Sequence, residues 1–314
     1  MSGATRIPPE LAGSAVLVTG GAGFIGSHIA AALAADCDVR VLDNLSGRPR
    51  ENVPGSVEFV EGDVRDPETL SEAVADVDVI FHEAAVVSVE ESVADPERTH
   101  AVNETGTVQV LEAARRADAR VVFASSAAIY GHPEGVPVPE SARKEPTSPY
   151  GISKLTGDHY VRRYADLYDL PAVALRYFNV YGPGQTGGDY AGVINIFFEQ
   201  ARAAEPLTVH GDGTQTRDFV HVDDVVQANL NAAVTDAVGQ AFNIGTGQAV
   251  TIEELAVEIR ETVGSDSEIV YTEGRTGDID RSRADIDRAV EELGYEPTVP
   301  LGEGLATVAN GSSV

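Results

Sequence analysis

Lysine is nearly absent from this chain of 314 residues: Lys144 and Lys154 stand against 20 arginines and 50 acidic residues, for a net charge of −28. A surface so anionic repels nucleic acid and anionic membranes, which sets both aside as partners. The acids are spread along the chain and not gathered into a tail. Replacement of lysine by acid is expected of a protein working in concentrated salt, where a Debye length of about 3 Å suppresses self-repulsion. Cysteine occurs once, at Cys37, so no intrachain disulfide can form and a cytoplasmic setting is expected. The first ten residues carry Arg6, Pro8 and Pro9 but not the apolar core of a secretory signal. Internal repeats and low-complexity tracts are absent too. The seven histidines show no zinc-like spacing and have no cysteine partner, so no metal is expected.

What is present begins with one long apolar stretch, residues 12–35. Its five glycines argue for a buried strand, a turn and a helix over a membrane span. Ala15-Val-Leu-Val-Thr19 is a β-branched run that ends in Gly20-Gly-Ala-Gly-Phe-Ile-Gly26, followed by a helix-forming segment from Ser27. In such a unit Gly20 permits the turn, Gly23 lets the backbone approach a pyrophosphate, and Gly26 lets the helix pack on the strand. A second run, Asp38-Val-Arg-Val-Leu42, ends at Asp43, 23 residues after Gly20. An acid there accepts the hydroxyls of an adenosine ribose and repels a 2′-phosphate, which favours NAD over NADP. Arg48 is the nearby residue that argues the other way.

Further strands are expected at 57–60, 77–81, 120–124 and 172–176, with helices between them at 67–75 and 104–117. Alternation of this kind specifies a parallel sheet wound right-handedly and covered on both faces. At the end of the strand near residue 124 lies Ala124-Ser-Ser-Ala-Ala-Ile-Tyr-Gly131, and Ser148-Pro-Tyr150-Gly-Ile-Ser-Lys154 then opens a helix reaching about residue 168. Tyr150 and Lys154 are four apart and share one helical face. A phenol with a pKa of about 10 is a poor base at neutral pH, but an adjacent ammonium and a cationic nicotinamide would both favour the phenolate. Spacing alone leaves Tyr150 open to being an ordinary tyrosine of an amphipathic helix, and Lys154 a surface charge. The composition weighs against this, because a chain almost without lysine keeps one at the position where this chemistry needs an ammonium.

These motifs together resemble the extended short-chain dehydrogenase/reductase family, within its NAD-dependent epimerase/dehydratase branch, over residues 14–300. The resemblance implies a Rossmann-type α/β fold, with a doubly wound parallel sheet and a smaller C-terminal α/β substrate-binding domain. It implies a division into an NAD-binding part, residues 1–178 rejoined by 218–245, and a substrate part, residues 179–314. It gives Tyr150 the role of base, Lys154 that of a cofactor-ribose and pKa-lowering contact, and Ser126 that of hydroxyl partner. The cofactor contacts it implies are Gly20, Gly23, Phe24, Ile25, Gly26, Asp43, Asn44, Asp63, Val64, Ala84, Ala85, Asn103, Ser125, Tyr150, Lys154 and Tyr177. Substrate contacts are implied at Ser126, Tyr150, Asn179, Val193, Arg217, Arg275 and Ser282, with the two arginines on the phosphates of a UDP-sugar. A cytoplasmic homodimer through helices 104–117 and 150–168 is implied as well.

Within that family, dehydratases carry an acid directly after the active-site serine or threonine, and decarboxylating relatives use a glutamate in the same loop. Here those places hold Ala127 and Ala128, and a methyl group cannot transfer a proton. Epimerisation at C4 of a UDP-hexose is therefore the expected reaction. Ser282, where a bulky aromatic excludes an N-acetyl group in some epimerases, suggests that UDP-GlcNAc is also accepted. The residues leave open another UDP-sugar epimerase, such as one acting on UDP-glucuronate, or a dehydratase or keto-reductase. A non-catalytic NAD-binding sensor or assembly factor is the alternative of another class.

Overall fold

The computed structural model describes residues 5–185, 192–274, 277 and 279–311. Its first half runs β1 (Ala15–Thr19), α1 (Phe24–Leu33), β2 (Asp38–Asp43), β3 (Glu58–Glu61), α2 (Pro67–Ala73), β4 (Val79–His82), α3 (Val89–Ala94), α4 (Pro96–His100), α5 (Gly106–Ala117), β5 (Arg120–Ser126), α6 (Pro149–Tyr168) and β6 (Ala172–Tyr177). The second half holds β7 (Asn179–Tyr181), α7 (Val193–Arg202), β8 (Leu207–His210), β9 (Thr216–Arg217), β10 (Phe219–His221), α8 (Val222–Ala232) and β11 (Ala241–Ile244). It ends with β12 (Val250–Thr251), α9 (Ile252–Val263), β13 (Ile269–Thr272), α10 (Asp287–Leu293) and α11 (Leu301–Ala309).

Among the described residues seven strands form one sheet in the order β11-β6-β5-β4-β1-β2-β3. Every neighbouring pair is parallel. The chain leaves this sheet after β6 and returns to its edge with β11. Parallel strands need apolar cover on both faces, and two separate cores supply it. Ile29 and Leu33 of α1 and Val225 of α8 pack on one face. Leu70 of α2, Leu111 of α5 and Val161 of α6 pack on the other. A third core joins Phe197 and Phe198 of α7 to Leu255 and Ile259 of α9 and Leu305 of α11. Around it lie two-stranded ladders, β7 with β10, β8 with β13 and β9 with β12.

The order of the large sheet reverses between β1 and β4, because the strand after β3 crosses back to lie beside β1. Loops leaving the carboxyl ends of those two strands diverge to opposite faces and leave a crevice between them, where open α/β sheets bind ligands. Helix starts around it follow local rules. Ser148 caps α6 by accepting from the Gly151 N–H, with Pro149 in the first turn. Asp66 caps α2 in the same way ahead of Pro67.

Differences from the sequence expectations are small and local. β3 is displaced by one residue and β4 runs on through His82. The helix expected over 104–117 starts as one widened π turn, Ala101–Thr105, before α5. A Cβ at Gly106 would lie 2.9 Å from the Val64 side chain, so glycine lets the turn press against that residue. The widened turn also aims the Asn103 amide at Val86, accepting from its N–H at 2.7 Å and donating to its carbonyl at 2.9 Å. Among the described residues no helix is long and apolar enough to cross a membrane.

Candidate active site

The glycine turn closes so tightly that side chains would not fit. Gly20 has φ +69°, and a Cβ there would lie 2.6 Å from the Ala84 nitrogen at the end of β4. A Cβ on Gly26 would collide with the Gly20 carbonyl oxygen. Gly23 precedes α1 with no side-chain cap, and the first helical bond runs from the Ser27 N–H to the Gly23 carbonyl. The N–H groups of Phe24, Ile25 and Gly26 are thus open at the positive end of a ten-residue helix, an arrangement that fits a dinucleotide pyrophosphate.

Asp43, at the end of β2, accepts from the Ala22 N–H at 3.0 Å and the Leu45 N–H at 2.8 Å, so it braces the turn with one lone pair on each oxygen. Burial pushes its carboxyl up, against those two bonds. Asp63 is gripped by the Arg65 guanidinium and by the Asn44 amide at 2.9 Å, which hold its carboxyl well below the usual range. Val64 is buried beside it. The Arg48 guanidinium donates to the Gly184 carbonyl, 136 residues away, and so is committed to backbone of the second half.

Ala84 and Ala85 follow β4 directly. Asn103 sits behind them, 2% exposed, its amide engaged by Val86 and by the Ser153 hydroxyl at 2.9 Å. This residue therefore locks the loop onto α6. Ser125 is likewise buried and donates to Asp158 at 3.2 Å.

Ser126 ends β5 and accepts from the Ala128 N–H at 3.1 Å. The Lys154 Nζ, 4% exposed, donates to the Ala124 carbonyl at 2.7 Å. Burial pushes the Lys154 ammonium down, and the charge of Glu83 pulls it back up. The Tyr150 phenol is also pushed up by burial, which the Ser126 hydroxyl offsets in part. The negative charge of Glu83 pushes the phenol in the same upward direction as burial.

Glu83 carried no signal beyond being an acid at the end of an apolar strand. It accepts from the Tyr177 hydroxyl at 2.9 Å, and that hydroxyl accepts in turn from the Asn229 amide of α8 at 2.9 Å. Two other acids were missed. Asp158 forms a bidentate pair with the buried Arg176, at 2.8 and 3.0 Å. Asp218 accepts from the Thr246 N–H at 2.7 Å and the Gly247 and Ala284 N–H groups at 3.0 Å, joining three loops.

One cavity runs from the carboxyl ends of β5 and β6 into the second half, lined by Ser126, Ala127, Tyr177, Asn179, Arg217 and Ser282. It brings the serine at the end of β5 together with three of the expected substrate contacts. Arg217 donates to the Thr216 and Ile279 carbonyls, and the Ser282 N–H bonds to the Thr216 carbonyl at 3.1 Å. Val193 starts α7, packs on the third core and lies apart from the cavity lining. Arg275 lies outside the described residues. Among the described residues no three His, Cys, Asp or Glu side chains gather as metal ligands.

The profile of the NAD dependent epimerase/dehydratase family matches residues 16–245. This protein belongs to that family. It is 42% identical over 300 residues to a putative UDP-glucose 4-epimerase of Methanocaldococcus jannaschii, covering 94% of this chain and 97% of that protein. Its structure is similar to that of a UDP-glucose 4-epimerase of Thermotoga maritima solved with UDP-glucose. The TM-score is 0.91 at 40% identity, over 95% of this chain and 98% of the other. It is also similar to a UDP-N-acetylglucosamine 4-epimerase of Methanobrevibacter ruminantium solved with UDP-N-acetylmuramic acid, with TM-score 0.92 at 35% identity over 96% and 98% of the chains.

Proposed function

We propose that the protein is an NAD-dependent 4-epimerase of UDP-hexoses, interconverting UDP-glucose and UDP-galactose. The observation that carries this reading is the placement of Ser126 at the end of β5 on a cavity wall shared with Asn179, Arg217 and Ser282, with methyl groups at Ala127 and Ala128 where water elimination would need acids.

The α1 N-terminus and glycine turn would hold the pyrophosphate of NAD, and Asp43 would take the adenosine ribose with its remaining lone pairs. Asn44, Asp63 and Val64 would line the adenine, and Ala84, Ala85, Ser125 and Tyr177 would face the nicotinamide half. NAD, when bound, supplies a reversible acceptor for hydride from C4 of the sugar. Tyr150 takes the C4 hydroxyl proton while Ser126 orients that hydroxyl, and the same phenol returns the proton to the 4-keto sugar after it has turned. Lys154, on the same face of α6 as Tyr150, would bind the nicotinamide ribose. Asn179, Arg217 and Arg275 hold the uridine diphosphate, so the sugar itself is gripped lightly enough to rotate. The relatives that act on UDP-glucose support this substrate.

The finer reading follows the same lines. We divide the chain into an NAD-binding part, 1–178 with 218–245, and a substrate part made of the remainder of 179–314. Ser282 on the cavity wall leaves room for an N-acetyl group, and UDP-GlcNAc is expected as a second substrate. Exposed Ile152, Tyr160, Leu167 and Tyr168 on α6 fit a homodimer through α5 and α6. The charge of −28 and the single cysteine fit a cytoplasm rich in salt.

The test is to denature the purified protein, identify the nicotinamide released, and assay the native protein on a panel of UDP-, dTDP- and GDP-sugars. Release of NAD with turnover of UDP-glucose is expected, and a protein without nicotinamide would remove the reading. Brisk turnover of UDP-glucose with none of UDP-GlcNAc would remove the N-acetyl extension alone.

A further inference from the structure

The mechanism above takes Ser126 from the end of a strand and Tyr150 from the start of a helix, and leaves unused the buried charges that lie between those elements. Arg176 of β6 is 2% exposed and bonds to both of them at once. Its Nε and Nη2 donate to the two carboxylate oxygens of Asp158 on α6, at 2.8 and 3.0 Å. Its Nη1 donates to the Tyr130 hydroxyl at 2.9 Å and to the Glu140 carbonyl at 3.0 Å. Asp158 lies in line with the base, because residues 150, 154 and 158 fall four apart on one helical face. Tyr130 closes the short turn Ala127–Tyr130, which begins directly after Ser126. One planar guanidinium thus joins the helix that carries the base to the turn that follows the serine. Neighbouring bonds complete the joint. Ser125, paired with Arg176 across β5 and β6, donates to Asp158 at 3.2 Å. The Tyr130 hydroxyl donates in turn to the Asn243 amide oxygen of β11 at 2.7 Å. Lys144, the lysine that the mechanism does not use, donates to the same Glu140 carbonyl as Arg176.

We propose that Arg176 and Asp158 are a positioning pair that sets Tyr150 of α6 against Ser126 of β5. This rests on the epimerase reading, in which phenol and serine hydroxyl must reach the same C4 hydroxyl of the sugar. The fork fixes distance and orientation together, which a point charge does not. Helix and turn also meet with no side chain between them. A Cβ on Gly151, the residue after Tyr150, would lie 2.8 Å from the Ala128 carbonyl oxygen, so a shift of α6 changes directly how the base stands to the serine turn. Strand alternation keeps the pair itself out of the chemistry: Ser125 and Arg176 face α6, whereas the next residues along, Ser126 and Tyr177, line the cavity.

The test is Arg176→Lys, which keeps the charge but loses the fork. Activity of the holoenzyme is counted per NAD bound, so that unfolded protein does not enter. On that scale kcat for UDP-galactose should fall about 10- to 100-fold while KM stays within about twofold. In the Tyr150→Phe background the same substitution should cost much less than that factor, because the side chain it positions is already gone. Tyr130→Phe cuts only the branch to the serine turn and should lower kcat in the same direction by a smaller factor. If Arg176→Lys does not fold, Tyr130→Phe decides alone. An unchanged kcat per NAD, or losses that multiply in full with those of Tyr150→Phe, would overturn the proposal and leave the pair a packing device. Crystal structures of the wild type and the variant give a readout free of turnover, in which the separation of the Tyr150 and Ser126 hydroxyls should change by about 1 Å. Should the wild type turn over no UDP-sugar, the epimerase reading falls and this separation decides: a change upholds the pair's role, and a fixed separation overturns it.

Discussion

The two walls of the crevice are built by different means. On the cofactor side the residues stand at the carboxyl ends of neighbouring parallel strands: Gly20 after β1, Asp43 on β2, Glu83 after β4, Ser126 on β5 and Tyr177 on β6. Sheet register places them, and two buried cores hold the register. On the substrate side Asn179, Arg217 and Ser282 belong to two-stranded ladders and connecting segments. There position depends on single side chains such as Asp218, which bonds to Thr246, Gly247 and Ala284. A wall set by register is hard to vary, whereas one set by a few side-chain bonds can be reshaped to admit a different sugar.

The sharpest separation of the two walls comes from the base between them. Tyr150→Phe should lower kcat by roughly 10³-fold or more while the protein keeps its NAD, because it removes proton transfer and leaves the glycine turn untouched. Kinetics together with NAD released on denaturation would check this. Gly26→Ala should act oppositely. Its Cβ collides with the Gly20 carbonyl, a backbone atom that cannot step aside, so a loss of about 1–3 kcal/mol in stability and most of the bound NAD is expected from calorimetry and cofactor content.

Asp218→Asn should disturb only the second wall. With an NH₂ group turned toward N–H donors, about 2 kcal/mol of stability should be lost and KM for UDP-glucose should rise, with NAD content unchanged. If NAD falls equally, the two walls are not separable.

A pH-dependent effect concerns the pair behind the sheet. Burial opposes the charge of Asp158, but Arg176 and Arg162 outweigh it and hold its carboxyl below the ordinary range. The stability this contributes is complete above the unfolded value of about 4 and is lost as pH falls through the lower folded value. Asp158→Asn should lower stability at neutral pH and flatten its decline in acid, measured by urea melts across that range.

What was legible in the sequence was local. The glycine turn, Asp43 at the end of the second strand, and Tyr150 four residues before Lys154 each lie within one strand–turn–helix unit, where spacing translates directly into geometry. Ser126 was legible because it ends a core strand. Glu83 and Asp218 were not, because their meaning lies in partners 94 and 66 residues away, and an acid among 50 carries no mark of its own. Spacing puts Tyr150 and Lys154 on one helical face but does not reveal that Lys154 is buried, at 4% exposure. Arg48, which argued for a 2′-phosphate when only its neighbourhood in the chain was known, is bound to the Gly184 carbonyl across the fold.

The central claim is that C4 is oxidised and reduced again within one crevice, over Tyr150 and without exchange with water. UDP-galactose carrying deuterium at C4 tests it most directly. Converted by the holoenzyme in ordinary water and analysed by mass spectrometry and NMR, the UDP-glucose product should keep its deuterium at C4. Product that has lost the label to solvent would contradict the account.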